Sequence, residues 1–166
     1  MDIFGFAMEK EKYAEYYYRD LAERTGSAGL RNILMMLADE EAKHYRVVEQ
    51  MKARTPARMT DTPVLANAAK IFEKMRDAAD TVQFDINEAD LYRKACDIER
   101  ESRKYYLQKA EEVSDPGHKG ILQQLAEEEN KHLLLVERIG DFVARPETFL
   151  EDAEMYHFDD YVEGQF

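Results

Sequence analysis

Apolar residues recur every three or four positions along most of this chain, which is the spacing of amphipathic α-helices. The pattern is clearest between Ser27 and about Ala53. The apolar members of that stripe are Leu30, Ile33, Leu37, Val48 and Met51. The same spacing predicts helices over about 2–24, 27–53, 64–80 and 116–143. It also predicts one helix that begins at about 87 and a short one that begins at Pro146.

Capping residues and prolines mark the ends of these segments. Gly26 follows the first predicted helix, and Ser27 is a suitable N-cap for the second. Thr62-Pro63 and Asp115-Pro116 are typical helix starts, because proline is tolerated in the first turn. From about Met155 the chain is rich in aromatic and acidic residues, and its pattern predicts a less regular tail.

An internal repeat predicts how the helices are arranged. Shifting the chain by 88 residues aligns 7–51 with 95–139 without a gap, and 17 of the 45 positions are identical. Each copy spans two predicted helices and therefore forms one helix hairpin. Two hairpins predict an all-α four-helix bundle.

The repeat also predicts the domain organisation. The halves cover about 3–53 and 88–143, and the crossover 54–87 between them contains an extra helix. A crossover of that length can run along a bundle of about 25-residue helices, at about 1.5 Å per residue. We therefore expect a single domain over 1–166, in which 144–166 form a C-terminal tail with a short helix.

Two stretches place a glutamate three residues before a histidine on an otherwise apolar stripe. They contain Glu41 with His44 and Glu129 with His132. Residues i and i+3 lie on the same face of a helix, so each pair is expected to point into the core. A single pair of this kind is usually an exposed charge beside a surface histidine. Two pairs at the same offset in a repeat favour a shared functional site.

A further glutamate lies thirty residues before each pair, on the predicted buried stripe. The complete set is Glu11, Glu41, His44, Glu99, Glu129 and His132. Four carboxylates and two neutral imidazoles carry a charge of −4, which two divalent cations neutralise. A buried, unpaired carboxylate costs several kcal/mol. These ligand types suit iron or manganese, and zinc is possible.

The motifs A-x3-E-x2-A-x3-Y and L-A-x-E-E-x-K-H, with their second copies, resemble the rubrerythrin-like branch of the ferritin-like di-iron carboxylate superfamily. The resemblance implies two iron ions, terminal carboxylates at Glu11 and Glu99, and one imidazole per metal. It further implies that Glu41 and Glu129 bridge the metals. Such proteins reduce hydrogen peroxide or react with dioxygen, and a separate donor re-reduces them.

Two departures from that family leave the reaction open. Peroxide-reducing rubrerythrins have an extra glutamate where this chain has Ser102, and they usually have a rubredoxin domain, for which this sequence has no Cys-x-x-Cys pair. The first hypothesis is a di-iron oxidoreductase that reduces peroxide or dioxygen, using a separate rubredoxin-like donor. The alternative is an iron-binding, ferroxidase-like protein without peroxidase turnover. A decayed bundle with a structural site is a third possibility.

Composition limits the partners and the compartment. The net charge of −12 argues against nucleic acid or an anionic membrane as a partner. The N-terminus lacks the pattern of a signal peptide, there is no run of 18 apolar residues, and the single Cys96 cannot form an intrachain disulfide. These features predict a cytoplasmic protein, and the resemblance suggests a homodimer.

The remaining candidates carry weaker signals. Tyr18 and Tyr106 fall seven residues after Glu11 and Glu99, so each could hydrogen-bond a ligand carboxylate, carry an electron or simply pack in the core. Cys96 is expected to be a buried structural thiol. The two remaining histidines, His118 and His157, are expected to lie away from the metals.

Overall fold

The computed structural model describes residues 2–85 and 87–158, and the chain is all-α there. The helices of this part are α1 (Ile3–Arg24), α2 (Ala28–Lys52), α3 (Val64–Asp77), α4 (Glu88–Glu112), α5 (Pro116–Ala144), α6 (Pro146–Glu151) and α7 (Glu154–His157). None of them is both long and apolar enough to span a bilayer.

The four long helices form two hairpins. α1 packs mainly against α2, and α4 packs mainly against α5, with short connections that make each pair antiparallel. α3 lies in the crossover between the hairpins and contacts α2, α5, α6 and α7. The predicted ferritin-like four-helix bundle, with an extra crossover helix and a short C-terminal helix, is therefore confirmed.

Ser27 and Asp115 cap α2 and α5 as the sequence predicts, whereas α3 differs from its sequence pattern in two ways. Pro63 precedes α3 instead of forming its first residue, and the hydroxyl of Thr62 accepts a hydrogen bond from the Val64 amide. α3 ends at Asp77, three residues before the predicted end. Ala79 adopts a left-handed conformation (φ 53°) there, and the amide of Asp80 donates to the carbonyl of Met75, which closes the helix.

The C-terminal segment is more helical than its sequence pattern predicts. α7 occupies part of the segment that was expected to be irregular, and the buried Tyr156 donates a hydrogen bond to the carbonyl of Leu150. The rest of the predicted tail, 159–166, lies outside the described residues.

The apolar core is divided into two clusters, with a polar layer between them along the bundle. The larger cluster includes Leu34 and Leu37 of α2 and Val136 of α5, together with side chains from α3 and the C-terminal helices. The smaller cluster, nearer the other end, includes Val48 of α2 and Leu122 of α5. The middle of each long helix therefore lies between apolar layers that exclude water from it.

An aromatic cluster attaches the crossover helix to the bundle. Phe72 of α3 is fully buried, and its ring centre lies 5.5 Å from Phe142, 4.9 Å from Phe149 and 5.5 Å from Tyr156. Aromatic side chains of this kind bury large apolar areas and interact edge to face. This contact fixes the position of the crossover relative to α5 and the C-terminal helices.

Replacing the central ring should therefore destabilise the fold. We expect Phe72→Ala to lower the free energy of unfolding by about 3–5 kcal/mol, because it leaves a cavity in a packed core. Phe6→Ala, at a phenylalanine that is 45% exposed, is the control and should cost no more than about 1 kcal/mol. Urea denaturation of both variants measures the difference, and similar losses would contradict the anchoring role.

Candidate metal centre

The polar layer brings together all six side chains that the sequence singled out. Each of the four long helices contributes at mid-length, and every one of these residues is exposed by 1% or less. They are Glu11 of α1, Glu41 and His44 of α2, Glu99 of α4, and Glu129 and His132 of α5. The thirty-residue spacing in each half places these residues at one level of the bundle.

The six side chains form two overlapping groups. In each group, one potential ligand atom per residue lies within 4.8 Å of the others. The first group is Glu11, Glu41, His44 and Glu129, and the second is Glu41, Glu99, Glu129 and His132. Two carboxylates are thus shared, and each group has one further carboxylate and one imidazole. This arrangement could hold two cations, with Glu41 and Glu129 available to both.

Both imidazoles present the same nitrogen to the carboxylates. Nδ1 of His44 lies 2.8 Å from Oε1 of Glu129, and Nδ1 of His132 lies 2.8 Å from Oε1 of Glu41. The two rings are nearly parallel, with centres 5.4 Å apart and planes 10° from each other. The Nε2 atoms therefore point away from the shared carboxylates.

Many polar atoms in this layer have no hydrogen-bond partner among residues 2–85 and 87–158. They include Oε2 of Glu11, Glu41 and Glu99, both carboxylate oxygens of Glu129, and Nδ1 of His44. A buried polar group without a partner costs about 1–3 kcal/mol, and more when it is charged. Divalent cations would satisfy several of these atoms at once, and carboxylate oxygen with imidazole nitrogen is a suitable donor set. The residues therefore fit a metal pair.

Burial and mutual repulsion raise the pKa of three of the carboxyls. Desolvation is the largest cause for Glu41 and Glu99, followed by the charge of Glu129, and both pKa values lie well above the usual range. Burial, and then the charge of Glu11, raise the pKa of Glu129 to about 7. In the absence of cations, these carboxyls retain protons that a metal would displace.

The remaining ionisable groups show that the two halves differ electrostatically. Burial lowers the pKa of His132. Burial also acts to lower the pKa of His44, but the neighbouring Glu11 carboxylate outweighs it and raises that pKa. Burial acts to raise the pKa of Glu11, yet hydrogen bonding with Glu41 and the charge of His44 bring it below its ordinary value.

Two tyrosines join the halves by reciprocal hydrogen bonds. The hydroxyl of Tyr18 donates to Oε1 of Glu99 at 2.5 Å, and the hydroxyl of Tyr106 donates to Oε1 of Glu11 at 2.5 Å. Burial, followed by the charge of the bonded carboxylate, raises the pKa of both phenols well above 10. Both remain protonated donors that orient a carboxylate from the opposite half.

Comparison with known proteins agrees with this geometry. The family model described as Rubrerythrin matches residues 2–139, which is most of the chain. The chain belongs to the rubrerythrin family. This family is part of the ferritin-like di-iron carboxylate proteins, as the motifs suggested. No curated protein and no solved structure matches the chain.

Two of the other buried carboxylates in this rubrerythrin-family bundle belong to Glu40 and Glu128, which immediately precede candidate ligands and which the sequence analysis did not assign. Oε1 of Glu128 lies 2.7 Å from Nε2 of His44, and Glu40 accepts a hydrogen bond from the hydroxyl of Thr62. Glu128 and Glu40 are 5% and 8% exposed. One sequence feature could have identified these two residues. In both copies of the motif, a glutamate immediately precedes the candidate ligand glutamate.

The weaker candidates lie outside both ligand groups. Cys96 is 8% exposed, and burial raises the pKa of its thiol to about 11. His118 is half-buried against the edge of Phe4, and His157 pairs with Glu73 of α3 at 2.8 Å. Among the described residues, none of these three side chains belongs to either group.

The raised pKa of Glu129 gives the metal-free protein a defined pH dependence. The folded state binds this proton more tightly than the unfolded state does. Protonation of Glu129 therefore contributes its full stabilisation of the fold below pH 4.5, and this contribution is lost as the pH rises through about 7. That rise in pKa corresponds to about 3 kcal/mol. We therefore expect the chelator-treated protein to lose up to about 3 kcal/mol through this group between about pH 5 and pH 8.

The variant Glu129→Gln, which has no titrating proton at this position, should show a smaller loss over the same range. Urea denaturation at both pH values measures it, with exposed Glu127→Gln as the matched control. Equal pH dependence in Glu129→Gln and the parent protein would show that Glu129 does not retain a proton.

Proposed function

We propose that this chain is a non-haem di-iron oxidoreductase of rubrerythrin type, which reduces hydrogen peroxide or dioxygen. The supporting observation is the pair of overlapping ligand groups that share Glu41 and Glu129. The rubrerythrin match supports iron over manganese or zinc, because the family binds di-iron centres. A pair of ferrous ions would supply the two electrons that reduce one peroxide molecule to water.

In this proposal the two metal positions have equivalent sets of ligands. Glu11 and His44 serve one metal position, Glu99 and His132 serve the other, and Glu41 and Glu129 serve both. The charge of four carboxylates matches that of two divalent cations. The apolar layers on either side keep bulk water away, which strengthens each ion–ligand interaction.

Tyr18 and Tyr106 have a positioning role in this proposal. Each phenol donates to the carboxylate oxygen of a terminal ligand, Glu99 or Glu11, and thereby fixes how that carboxylate is oriented. Because burial raises the pKa of both phenols, they keep their protons and remain hydrogen-bond donors to these carboxylates.

We expect a small oxidant to approach this layer beside Ser102. A surface cavity of about 310 Å³ lies between α1 and α4, and Phe6, Tyr13 and Ser102 are among its lining residues. Ser102 is 4% exposed and lies one turn after Glu99 on the core face of α4. Its small side chain separates this cavity from the level of Glu99.

The proposed cycle requires an external reductant. Electrons for the oxidised centre would come from a separate donor, such as a rubredoxin-like protein, and a cytoplasmic, reducing setting suits that exchange. The expected homodimer and the absence of nucleic-acid and membrane partners stay predictions from charge and resemblance.

A second function is favoured by Ser102. Without a glutamate at this position, the chain lacks the extra carboxylate that its peroxide-reducing relatives use. The site would then bind and oxidise Fe(II) without peroxidase turnover. The two functions share the metal centre and differ in how the ferrous form reacts with peroxide.

Removing the shared carboxylates should abolish the centre. We expect the parent protein to bind two ferrous ions per chain under anaerobic conditions, and Glu41→Ala with Glu129→Ala to bind none, because both positions lose two ligands. Asp39→Ala with Glu127→Ala is the matched control, since these exposed residues also correspond in the repeat. Metal analysis after desalting measures the stoichiometry, and unchanged binding in the first variant would refute the site.

The reaction of the ferrous protein separates the two functions. For an oxidoreductase acting on peroxide, stopped-flow mixing should show oxidation by peroxide at least about tenfold faster than oxidation by dioxygen, a difference of about 1.4 kcal/mol in barrier. Equal, slow rates would support the ferroxidase-like alternative. In that case Ser102→Glu, which restores a carboxylate one turn after Glu99, should raise the peroxide rate, while Ser102→Ala should not.

A further inference from the structure

The outer nitrogens of the two histidines have different surroundings. Nε2 of His44 lies 2.7 Å from Oε1 of Glu128, and both side chains are buried, at 0% and 6% exposure. Nε2 of His132 is equally buried, but no group in residues 2–85 and 87–158 forms a hydrogen bond with it. Two residues that correspond in the repeat are therefore held differently.

The repeat identifies the carboxylate that should face His132. The 88-residue shift maps Glu128 onto Glu40 and His44 onto His132, so Glu40 is the equivalent partner. Glu40 instead accepts the hydroxyl proton of Thr62, and its other oxygen lies 3.6 Å from Nζ of Lys43.

The crossover contacts α2 at this position. Thr62 lies at the start of α3, and the nearby carbonyl of Thr60 accepts a hydrogen bond from Lys43 at 3.1 Å. This segment therefore attaches to α2 through both Glu40 and Lys43. In the second half α5 is followed directly by α6, so residues 2–85 and 87–158 contain no long loop after α5 that would correspond to the one after α2.

We propose that Glu128 positions His44 and makes its metal position the tighter of the two, whereas Thr62 withholds the equivalent carboxylate, Glu40, from His132. The inference rests on the metal pair proposed above and adds an order of binding to it. Glu128 and Glu40 act through the histidines and are positioning residues.

The physical basis is the tautomer of each imidazole. A cation at Nδ1 requires the ring proton to be on Nε2, where it needs an acceptor in a buried site. Glu128 provides that acceptor for His44, which fixes the ring orientation and leaves the Nδ1 lone pair directed at the carboxylates. Loss of such an outer partner typically weakens metal binding about 10–100-fold.

Two matched variants test the positioning role. Anaerobic calorimetric titration of the parent protein with Co²⁺ should show two steps of different affinity. Glu128→Ala should weaken the tight step about 10–100-fold, whereas Glu40→Ala should change either step by no more than about threefold. Both variants remove one carboxylate near the site, so the general loss of charge is the same in each. Glu128→Gln retains an acceptor oxygen and should restore most of the affinity.

The role of the crossover has its own test. Thr62→Val keeps the shape of the side chain and removes the hydroxyl, so Glu40 can turn to His132 and tighten the weaker step by up to about tenfold. Adding Glu40→Ala to Thr62→Val should cancel that gain. Loss of the tight step in His44→Ala, and of the weak step in His132→Ala, assigns the two positions. Circular dichroism of each metal-free variant checks that it is folded.

The outcomes distinguish this inference from the proposed centre. Absence of Co²⁺ binding to the parent protein would overturn the metal pair and the inference together. Two equal steps, equal effects of Glu128→Ala and Glu40→Ala, or unchanged affinity in Thr62→Val would overturn the inference and leave the metal pair in place.

Discussion

The structure depends on neutralising the charge of four carboxylates and two imidazoles that are buried together between two apolar layers. Each residue of this set is at most 1% exposed, and most of its oxygens have no hydrogen-bond partner in the described part of the chain. Net fold stability is only about 5–15 kcal/mol, so several unpaired buried charges could not persist together. Protons or cations must therefore neutralise the layer. The raised pKa values of Glu41, Glu99 and Glu129 show the first solution, and the converging ligand atoms are arranged for the second.

Two-fold repetition explains how a single chain builds this layer. Neither hairpin contains a complete site, because each ligand group takes residues from both halves. The tyrosine hydrogen bonds also cross between the halves, from Tyr18 to Glu99 and from Tyr106 to Glu11. Metal binding and association of the hairpins are consequently coupled, and a cation pair would stabilise the folded bundle by mass action.

Much of this could be predicted from sequence, because helix periodicity and an ungapped repeat constrain geometry directly. The bundle, the crossover helix and the six converging side chains follow from the 3.6-residue period and the 88-residue shift. The end of α3 did not follow, because it depends on a left-handed Ala79, a conformation that the residue type does not suggest. α7 was missed because Tyr156 is held by tertiary packing against Phe72 and Phe149. The outer partners of the histidines depend on how the crossover lies against α2, which no local pattern encodes.

The two halves of the site differ in ways that the internal repeat does not predict. A symmetric pair of hairpins would give two equivalent metal positions. One connecting segment is unavoidable, however, and the residues just before α3 form their side-chain hydrogen bonds with α2, through Glu40 and Lys43. Here it takes Glu40 through Thr62 and leaves Glu128 free to hold His44. Ser102 adds a second asymmetry, because it corresponds to Ala14 in the repeat but lines a cavity that reaches the surface. In the proposed centre, Glu128 would help to hold one metal firmly and the other would lie on the side of Ser102, so that retention of the metals and access of the oxidant would be separated.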